Sequence, residues 1–339
     1  MPDCGSQVFL CDLPIRFDTY KGCTHGCEYC FVKKKIDISE VVPFEGVQAL
    51  KNFVEGKRVS VTNWCDWDIP LHWGGVSDPF QPAERIHGRS LECLEYLAET
   101  QYPFVVSTKG SLISEPRYIS ALSKCNAVVQ VSMVCSKYDV IEPGAPTFEE
   151  RMSMLEILAK NSRRLIVRIS PYSAGLSGEI CKLMPRYKNA GVFGVEIEGM
   201  KRSKKHPGFV KVAADWCYPV DVLRREFSLI KQSAKQEGLS FFVGENRLRL
   251  MGDDTCCCGT SGLSGFVHNK ANLNRVANGE TIVYTEKMKE KGTAMAFLTV
   301  AQRQDLAMQL KSMSYEECME IAARSRPFLE AMGLRVQRS

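Results

Sequence analysis

The sequence has no apolar run approaching the roughly 18–20 residues that a membrane span needs. Its opening, Met1-Pro2-Asp3-Cys4, lacks the charged-then-apolar pattern of a secretory leader. The expectation is a soluble, cytoplasmic protein with no membrane partner. There is no internal repeat, no low-complexity segment and no Gly/Ser linker, which sets aside solenoids and tethered-module arrays. Charge of one sign is scarce too: 44 basic against 39 acidic residues leave a net +5, which permits a nucleic-acid partner without demanding one. Cysteine, by contrast, is abundant. Fifteen cysteines in 339 residues with no leader point to metal ligands and buried thiols rather than a disulfide framework.

With 45% apolar and 24% charged residues, a chain of this length buries a full core. Short apolar strands alternate with amphipathic helices. Strands are expected at Leu71–Val76, Phe104–Ser107, Ala127–Met133, Arg164–Ile169, Val192–Ile197 and Leu239–Val243. Between them lie helical stretches at Glu84–Thr100, Glu115–Lys124, Thr147–Lys160, Gly178–Tyr187 and Val220–Gln236, whose apolar residues recur three and four apart. This rhythm predicts βαβ units and a parallel sheet, either a closed or partial barrel or an open doubly wound sheet. In a barrel the active site sits at the strands' C-terminal ends. The rhythm breaks near residue 246, so the expected division is a barrel over 1–245 and a C-terminal extension over 246–339. That extension comprises a cysteine-rich loop and a helical tail that includes Tyr315–Leu334.

The segment Lys21-Gly-Cys-Thr-His-Gly-Cys-Glu-Tyr-Cys-Phe31 spaces Cys23, Cys27 and Cys30 as Cys-x3-Cys-x2-Cys. Three thiolates in so tight a loop wrap three corners of one cubane, and Gly22 and Gly26 free the backbone to fold around it. A three-cysteine loop leaves one iron open to a small molecule. Zinc is the competing metal, but it wants a fourth ligand, and His25 inside the loop is poorly placed to close a tetrahedron.

Gly74-Gly75-Val-Ser-Asp-Pro-Phe-Gln-Pro-Ala-Glu84 follows the first expected strand. Its glycines allow close approach of a ligand to the backbone, or simply make a turn into a helix with Asp78 as cap. Ser107 and Lys109 end the next strand and Ser132 the one after. Arg168, inside the apolar run Leu165-Ile-Val-Arg-Ile-Ser170, needs a partner, either a ligand carboxylate or an internal salt bridge to Glu142 or Glu196. Glu196 and Glu198 alternate with apolar residues and so face the same way. Thr147 precedes Glu150 by three residues, which is the spacing of a capping box.

The cysteine motif resembles that of radical S-adenosylmethionine (SAM) enzymes. That resemblance implies a [4Fe–4S] cluster whose open iron binds SAM, and reductive cleavage to a 5′-deoxyadenosyl radical that abstracts hydrogen from substrate. It also implies a reductant such as flavodoxin or ferredoxin. By the same resemblance Tyr29 packs near the adenine. Gly74, Gly75, Ser77 and Asp78 contact the amino group, and Ser107, Lys109, Ser132, Arg168 and Glu196 are further SAM-binding candidates.

A narrower likeness rests on Gly22-Cys23 through Val32, Ser77-Asp78-Pro79-Phe80-Gln81-Pro82-Ala83-Glu84, Ser107-Thr-Lys109 and Glu142-Pro-Gly-Ala-Pro-Thr-Phe-Glu-Glu-Arg151. Together these are similar to the spore photoproduct lyase-like, or DNA repair photolyase-like, branch, over roughly residues 15–200. The resemblance implies a partial (β/α)6 TIM-like barrel of radical SAM type with a C-terminal extension. It also implies a nucleobase in DNA or RNA as substrate, repaired or modified, for instance by rearrangement of a modified thymine. The branch's lyase carries a hydrogen-donating cysteine just ahead of the Ser77-Asp78 stretch, where this chain has Gly75-Val76; that argues against direct thymine-dimer repair.

Candidate thiols elsewhere are Cys135, after the Ser132 strand, and Cys256, Cys257 and Cys258. The last three are hydrogen donors, ligands to a second cluster with Cys4, Cys11 or Cys217, or incidental thiols, and adjacent side chains are expected to diverge. Lys33-Lys34-Lys35 and the Lys201–His206 run attract phosphates or face water, and Trp64, Trp67 and Trp73 stack a base or fill the core. Two other functions fit the same residues: a peptide-modifying radical SAM enzyme with an auxiliary cluster, and a non-catalytic metal-binding nucleic-acid module.

Overall fold

Seven parallel strands line up in chain order: Ile15–Phe17, Leu71–Trp73, Phe104–Thr108, Ala127–Ser132, Arg164–Tyr172, Gly194–Gly199 and Ser240–Val243. The structure is a computed structural model that describes residues 2–4, 11–34, 40–44, 46–59, 62, 68–212 and 215–269. Each strand pairs with its chain predecessor. A doubly wound sheet reverses its strand order partway, so this unbroken order selects the barrel-like alternative. Among the described residues the first and seventh strands do not pair, and the barrel stays open.

The six expected strands are present, and the seventh is Ile15–Phe17, immediately before the cysteine loop. Three residues are too few for periodicity to register. Leu71–Trp73 is shorter than expected because Gly74, at φ +84°, turns the chain. The helix over Val220–Gln236 matches its expected span. Others break in two: Glu84–His87 and Arg89–Thr100 meet at Gly88, which is left-handed at φ +62°. Thr147 caps the helix Phe148–Ser153 through the expected reciprocal box, its Oγ1 accepting from Glu150 N and its own N–H donating to Glu150 Oε2 at 2.6 Å.

Strand alternation splits the interior into two apolar bodies. Phe104, Val106, Val129, Val131, Leu165, Val167, Val195, Ile197, Phe241 and Val243 face the helices. Val105, Val128, Ile166 and Phe242 point the other way, into the barrel, where they pack on Leu13, Cys256, Cys258 and Phe266.

Residues 252–269 therefore do more than coat the outside. Asp253 N donates to Phe241 O at 2.8 Å, and Arg164 Nη1 donates to the carbonyls of Gly259 and Ser261 at 2.7 and 2.8 Å. Asn269 then reaches Cys11 O and Asp12 O at 3.1 and 2.9 Å. This strap links the last strand to the residues before the first and plugs the N-terminal end of the barrel. The expected tail Tyr315–Leu334, like the rest of the 270–339 segment, lies outside the described residues.

Trp73 is fully buried among Phe17, Phe80 and Phe104, with ring centroids 5.4–6.0 Å away, so it belongs to the core and stacks no base. Trp64, Trp67 and Lys35 lie outside the described residues.

Candidate functional site

The cysteine loop leaves the first strand through Gly22, at φ +86°, where a Cβ would collide with the Glu40 carbonyl. Gln81 holds its entry, accepting from Thr24 N at 2.9 Å and donating to Gly22 O at 3.1 Å. Glu28 N donates to Ile141 O at 2.9 Å, and Cys30 N to Cys27 O at 3.2 Å. The loop is thus anchored to the segments that follow the second and fourth strands, at the C-terminal end of the barrel.

All three cysteines are free. Among the described residues no three His, Cys, Asp or Glu side chains converge on one ion. Zinc wants four ligands and the loop offers three thiols, so this donor set fits a cubane with one open iron better than the ion. His25 supplies no fourth ligand. Its Nδ1 donates to Gly144 O at 2.9 Å and its Nε2 lies 3.1 Å from Asp78 Oδ2. Burial, and next the Asp78 charge, push the Cys23 thiol up to about 12, so metal binding here releases protons.

The Asp78 carboxylate is committed to the protein. Oδ1 accepts from Phe80 N at 2.9 Å and Thr108 Oγ1 at 2.6 Å; Oδ2 accepts from Lys109 N at 2.6 Å and Gly110 N at 3.3 Å. Burial raises its pKa, but His25 and these donors outweigh burial and hold the carboxyl well below its usual range. With these partners on its oxygens, the carboxylate holds the turn after the second strand against the end of the third. Ser77 is likewise engaged, its hydroxyl donating to Tyr20 O at 2.6 Å.

Gly74 and Gly75 have structural reasons of their own. A Cβ on Gly74 would strike Ser107 O, and one on Gly75 would come 2.7 Å from Arg16 Nη1. Asp18, which sequence reading missed, organises this turn by accepting from Val76 N and Ser77 N at 3.0 Å each.

Tyr29 donates to Glu142 Oε1. Glu142 Oε2 pairs with Arg151 Nη2 at 2.7 Å, and Arg151 Nη1 donates to Ser132 O at 2.8 Å, all within the buried interior. Lys109 Nζ lies 3.8 Å from Glu142 and 5.6 Å from the Tyr29 ring centre. The Tyr29 hydroxyl is pushed up by burial and then by the Glu142 charge.

Inside the barrel a polar band crosses five strands. His72 Nε2 is 3.1 Å from Ser107 Oγ, which donates to Gln130 Oε1 at 2.8 Å. Arg168 Nη1 is 3.5 Å from Ser107 Oγ and Nε is 3.1 Å from Glu196 Oε2. The internal salt bridge weighed for Arg168 thus exists, with Glu196. The Arg168 side chain still keeps 23% exposure, leaving part of the guanidinium open to the barrel. Burial pushes the Glu196 carboxyl up, offset in part by Arg168. Burial, then Arg16 and Arg168, pull His72 well below its usual value, so it is a neutral imidazole. His72 and Gln130 were missed by sequence reading; their signal was a polar residue inside an apolar strand, the one that singled out Arg168.

The candidate thiols separate. Cys135 lies on the helix side with Tyr138, Phe148 and Tyr187, its thiol pushed up to about 11 chiefly by burial. It belongs to the helix-side apolar body and not to the one inside the barrel. Cys256, Cys257 and Cys258 lie inside, below the polar band. Cys256 and Cys258 are buried in the barrel-side apolar body and Cys257 packs against it; the neighbouring thiols and burial push the Cys258 thiol up. Cys256 Sγ lies 3.1 Å from Thr260 Oγ1, which lies 2.8 Å from His268 Nε2. Cys11 neighbours Cys257, whereas Cys217 sits beside Arg247, Glu245 and Lys201 at the opposite end of the sheet.

A double mutant of spore photoproduct lyase with bound AdoMet and dinucleoside spore photoproduct superposes with a TM-score of 0.58 at 12% identity, over 68% of this chain and 76% of that one. SuiB of Streptococcus suis bound to its precursor peptide SuiA gives 0.50 at 11% identity, over 68% of this chain and 49% of that one. An uncharacterized protein of Mycobacterium tuberculosis is 26% identical over 204 residues, 56% of this chain and 59% of that protein, and a Mycobacterium bovis protein matches equally. The match thus spans less than two thirds of these relatives' length. No family model matches the chain. At such identities the structural likeness is one of fold: the chain has the partial-barrel fold seen in spore photoproduct lyase.

Proposed function

We propose that the protein is a radical SAM enzyme acting on a nucleobase within DNA or RNA. One observation carries the reading. Three free thiols occupy a loop at the C-terminal end of a partial barrel, and the loop's histidine is spent on Gly144 and Asp78. That donor set suits a [4Fe–4S] cluster with one open iron. When bound, the cluster supplies the electron that cleaves SAM and releases a hydrogen-abstracting adenosyl radical.

The chain's own residues bind, orient and exclude water. Arg168, held by Glu196 yet partly open, is placed to pair with the SAM carboxylate. Tyr29, fixed by Glu142, walls one side of the cysteine loop. The neutral His72, Ser107 and Gln130 offer donors and acceptors inside the barrel. The strap of residues 252–269 closes the opposite end against water.

A basic sheet supports the nucleic-acid substrate. Lys201–Arg202, Val210–Val212 and Asp215–Cys217 form three antiparallel strands beyond the sixth barrel strand. Residues 199–214 hold five Lys or Arg and no Asp or Glu. Lys201 is paired with Glu198 at 2.6 Å, while Arg202, Lys204 and Lys205 are exposed. Such a cationic edge beside a barrel mouth suits a phosphate backbone.

The test is anaerobic reconstitution with dithionite and SAM, reading iron and 5′-deoxyadenosine beside a Cys27→Ala control. About four irons per chain and product that vanishes in the control are expected, with nucleic acid raising the rate. Zinc without deoxyadenosine overturns the reading. Stimulation by peptides and not by nucleic acids overturns the substrate.

A further inference from the structure

We propose that the basic sheet after the sixth strand is a stacking platform for an unpaired stretch of nucleic acid, in which the Trp216 indole takes a base and Arg202 and Lys211 take the flanking phosphates. This deepens the nucleic-acid reading above and rests on it.

The register of the three short strands builds the platform. Arg202 stands directly opposite Trp216, and Trp216 directly opposite Lys211. Cross-strand partners share a face of a sheet, so an arginine, an indole and a lysine form one row across it, about 10 Å between the outer strands. The neighbouring row, Lys201, Cys217 and Val210, belongs to the other face. There Lys201 meets Glu198 of the sixth strand at 2.6 Å and Cys217 is buried. That face is turned to the barrel mouth, and the row with Trp216 is turned away from it. Asp215 alternates with Trp216 along its strand and so stands with Cys217, off the platform.

Both cations rest on rings. Lys211 Nζ lies 5.6 Å from the Trp216 ring centre, and Arg202 Cζ lies 5.9 Å from that of Phe209, which packs on Tyr218 at 4.1 Å. Arg202 and Lys211 are exposed, and Trp216 packs against the helix-side apolar body yet stays partly open. Exposed cation–π contacts are weak. Lysine's flexible four-carbon stem lets its ammonium leave the indole for a phosphate as a base takes its place.

The platform is fixed to the end of the barrel that carries the cysteine loop. Met200 N, just before its first strand, donates to Tyr172 O at 2.8 Å. Arg247 Nη1, beyond the seventh barrel strand, donates to Tyr218 O at 3.1 Å.

The choice of an unpaired strand follows from the ring. Phosphates need only the cations, and in a duplex every base face is covered by its neighbours. An indole between two cations gains contact only with a base that is unstacked.

The full chain is titrated against a fluorescein-labelled oligodeoxynucleotide of mixed sequence, about twelve nucleotides long. It is offered as a single strand and as a duplex with its complement, and anisotropy is read over a range of salt. The single strand should bind more tightly than the duplex. Trp216→Leu should weaken single-strand binding by about fivefold or more and leave its salt dependence unchanged, while Trp216→Phe, which keeps a ring, should retain most of the affinity. Arg202→Gln combined with Lys211→Gln should reduce the slope of log K against log salt by about 1.4, for two phosphate contacts at ~0.7 each on a single strand. Since both cations are exposed, this double variant tests the platform even where Trp216→Leu fails to fold.

Duplex binding as tight as single-strand binding, an unchanged affinity in Trp216→Leu, or an unchanged salt slope in the double variant overturns the platform while leaving nucleic acid as the substrate. Wild-type protein that binds neither form overturns the nucleic-acid reading itself.

Discussion

Arg168 and Glu196 meet at 3.1 Å across the fifth and sixth strands, directly opposite each other in register, and divide the barrel interior into two compartments. Toward the C-terminal ends lie the polar band and the cysteine loop. Toward the N-terminal ends lie Val128, Ile166, Phe242 and the Cys256–Cys258 strap. Removing Arg168 alone leaves a buried, unpaired carboxylate. Arg168→Met is expected to weaken SAM binding at least tenfold and lower stability by about 3 kcal/mol, whereas Arg168→Lys should recover part of both. Equilibrium dialysis with SAM and urea denaturation check the two effects; unchanged SAM affinity would remove Arg168 from the site.

Asp18 makes stability depend on pH. Burial pushes its carboxyl up to about 6 from an ordinary 3.8, against hydrogen bonds from Ser77 and Val76 and the charge of Arg16. Between those values the folded protein keeps a proton that the unfolded chain has released. Stability therefore falls as pH rises through the window and stays lower above it, by ~3 kcal/mol at most. Asp18→Asn still accepts the two backbone N–H groups and carries no charge. Denaturation midpoints at pH 4.5 and 7 should differ less in this variant than in wild type, and identical differences would refute the account.

The Glu142–Arg151 pair is fully buried, and it carries Tyr29 at one end and Ser132 O at the other. Arg151→Leu should cost about 3–5 kcal/mol by stranding Glu142. Adding Glu142→Gln should restore part of that loss, because the stranded charge is gone. A double-mutant cycle on thermal unfolding measures the coupling.

Gly74→Ala should destabilise the protein by more than the ~1–2 kcal/mol of a left-handed alanine, since the new Cβ also strikes Ser107 O. Gly88 is left-handed too but has nothing within 4 Å of a Cβ, so Gly88→Ala should cost only the backbone term. Comparing the two melting temperatures separates conformation from collision.

Cys135→Ala should leave 5′-deoxyadenosine formation unchanged and lower stability by about 1 kcal/mol, because the thiol packs on the helix side with Tyr138 and Tyr187. A loss of turnover with intact iron content would reinstate it as a donor.

Local and periodic features were legible in the sequence. Six of the seven barrel strands announced themselves through apolar runs, the helix over Val220–Gln236 through its spacing, and the Thr147–Glu150 box through two residues three apart. The turn at Gly22, left-handed at φ +86°, was marked by the glycine itself. These properties depend on residues within a turn or two of each other, where backbone geometry leaves few outcomes.

The partners were decided by tertiary structure. No local rule told whether Arg168 would meet Glu142 or Glu196, that Asp78 would give its carboxylate to Thr108, Lys109, Gly110 and His25, or that Asp18 would order a turn 58 residues away. Nor could spacing show that Cys135 faces the helices while Cys256–Cys258 enter the barrel. A buried charge or thiol is satisfied by whichever groups the packed strands bring within about 3 Å, and that proximity is set by the register of the sheet and the path of the loops. The sequence by itself determined which elements form; the fold determined which of their side chains meet.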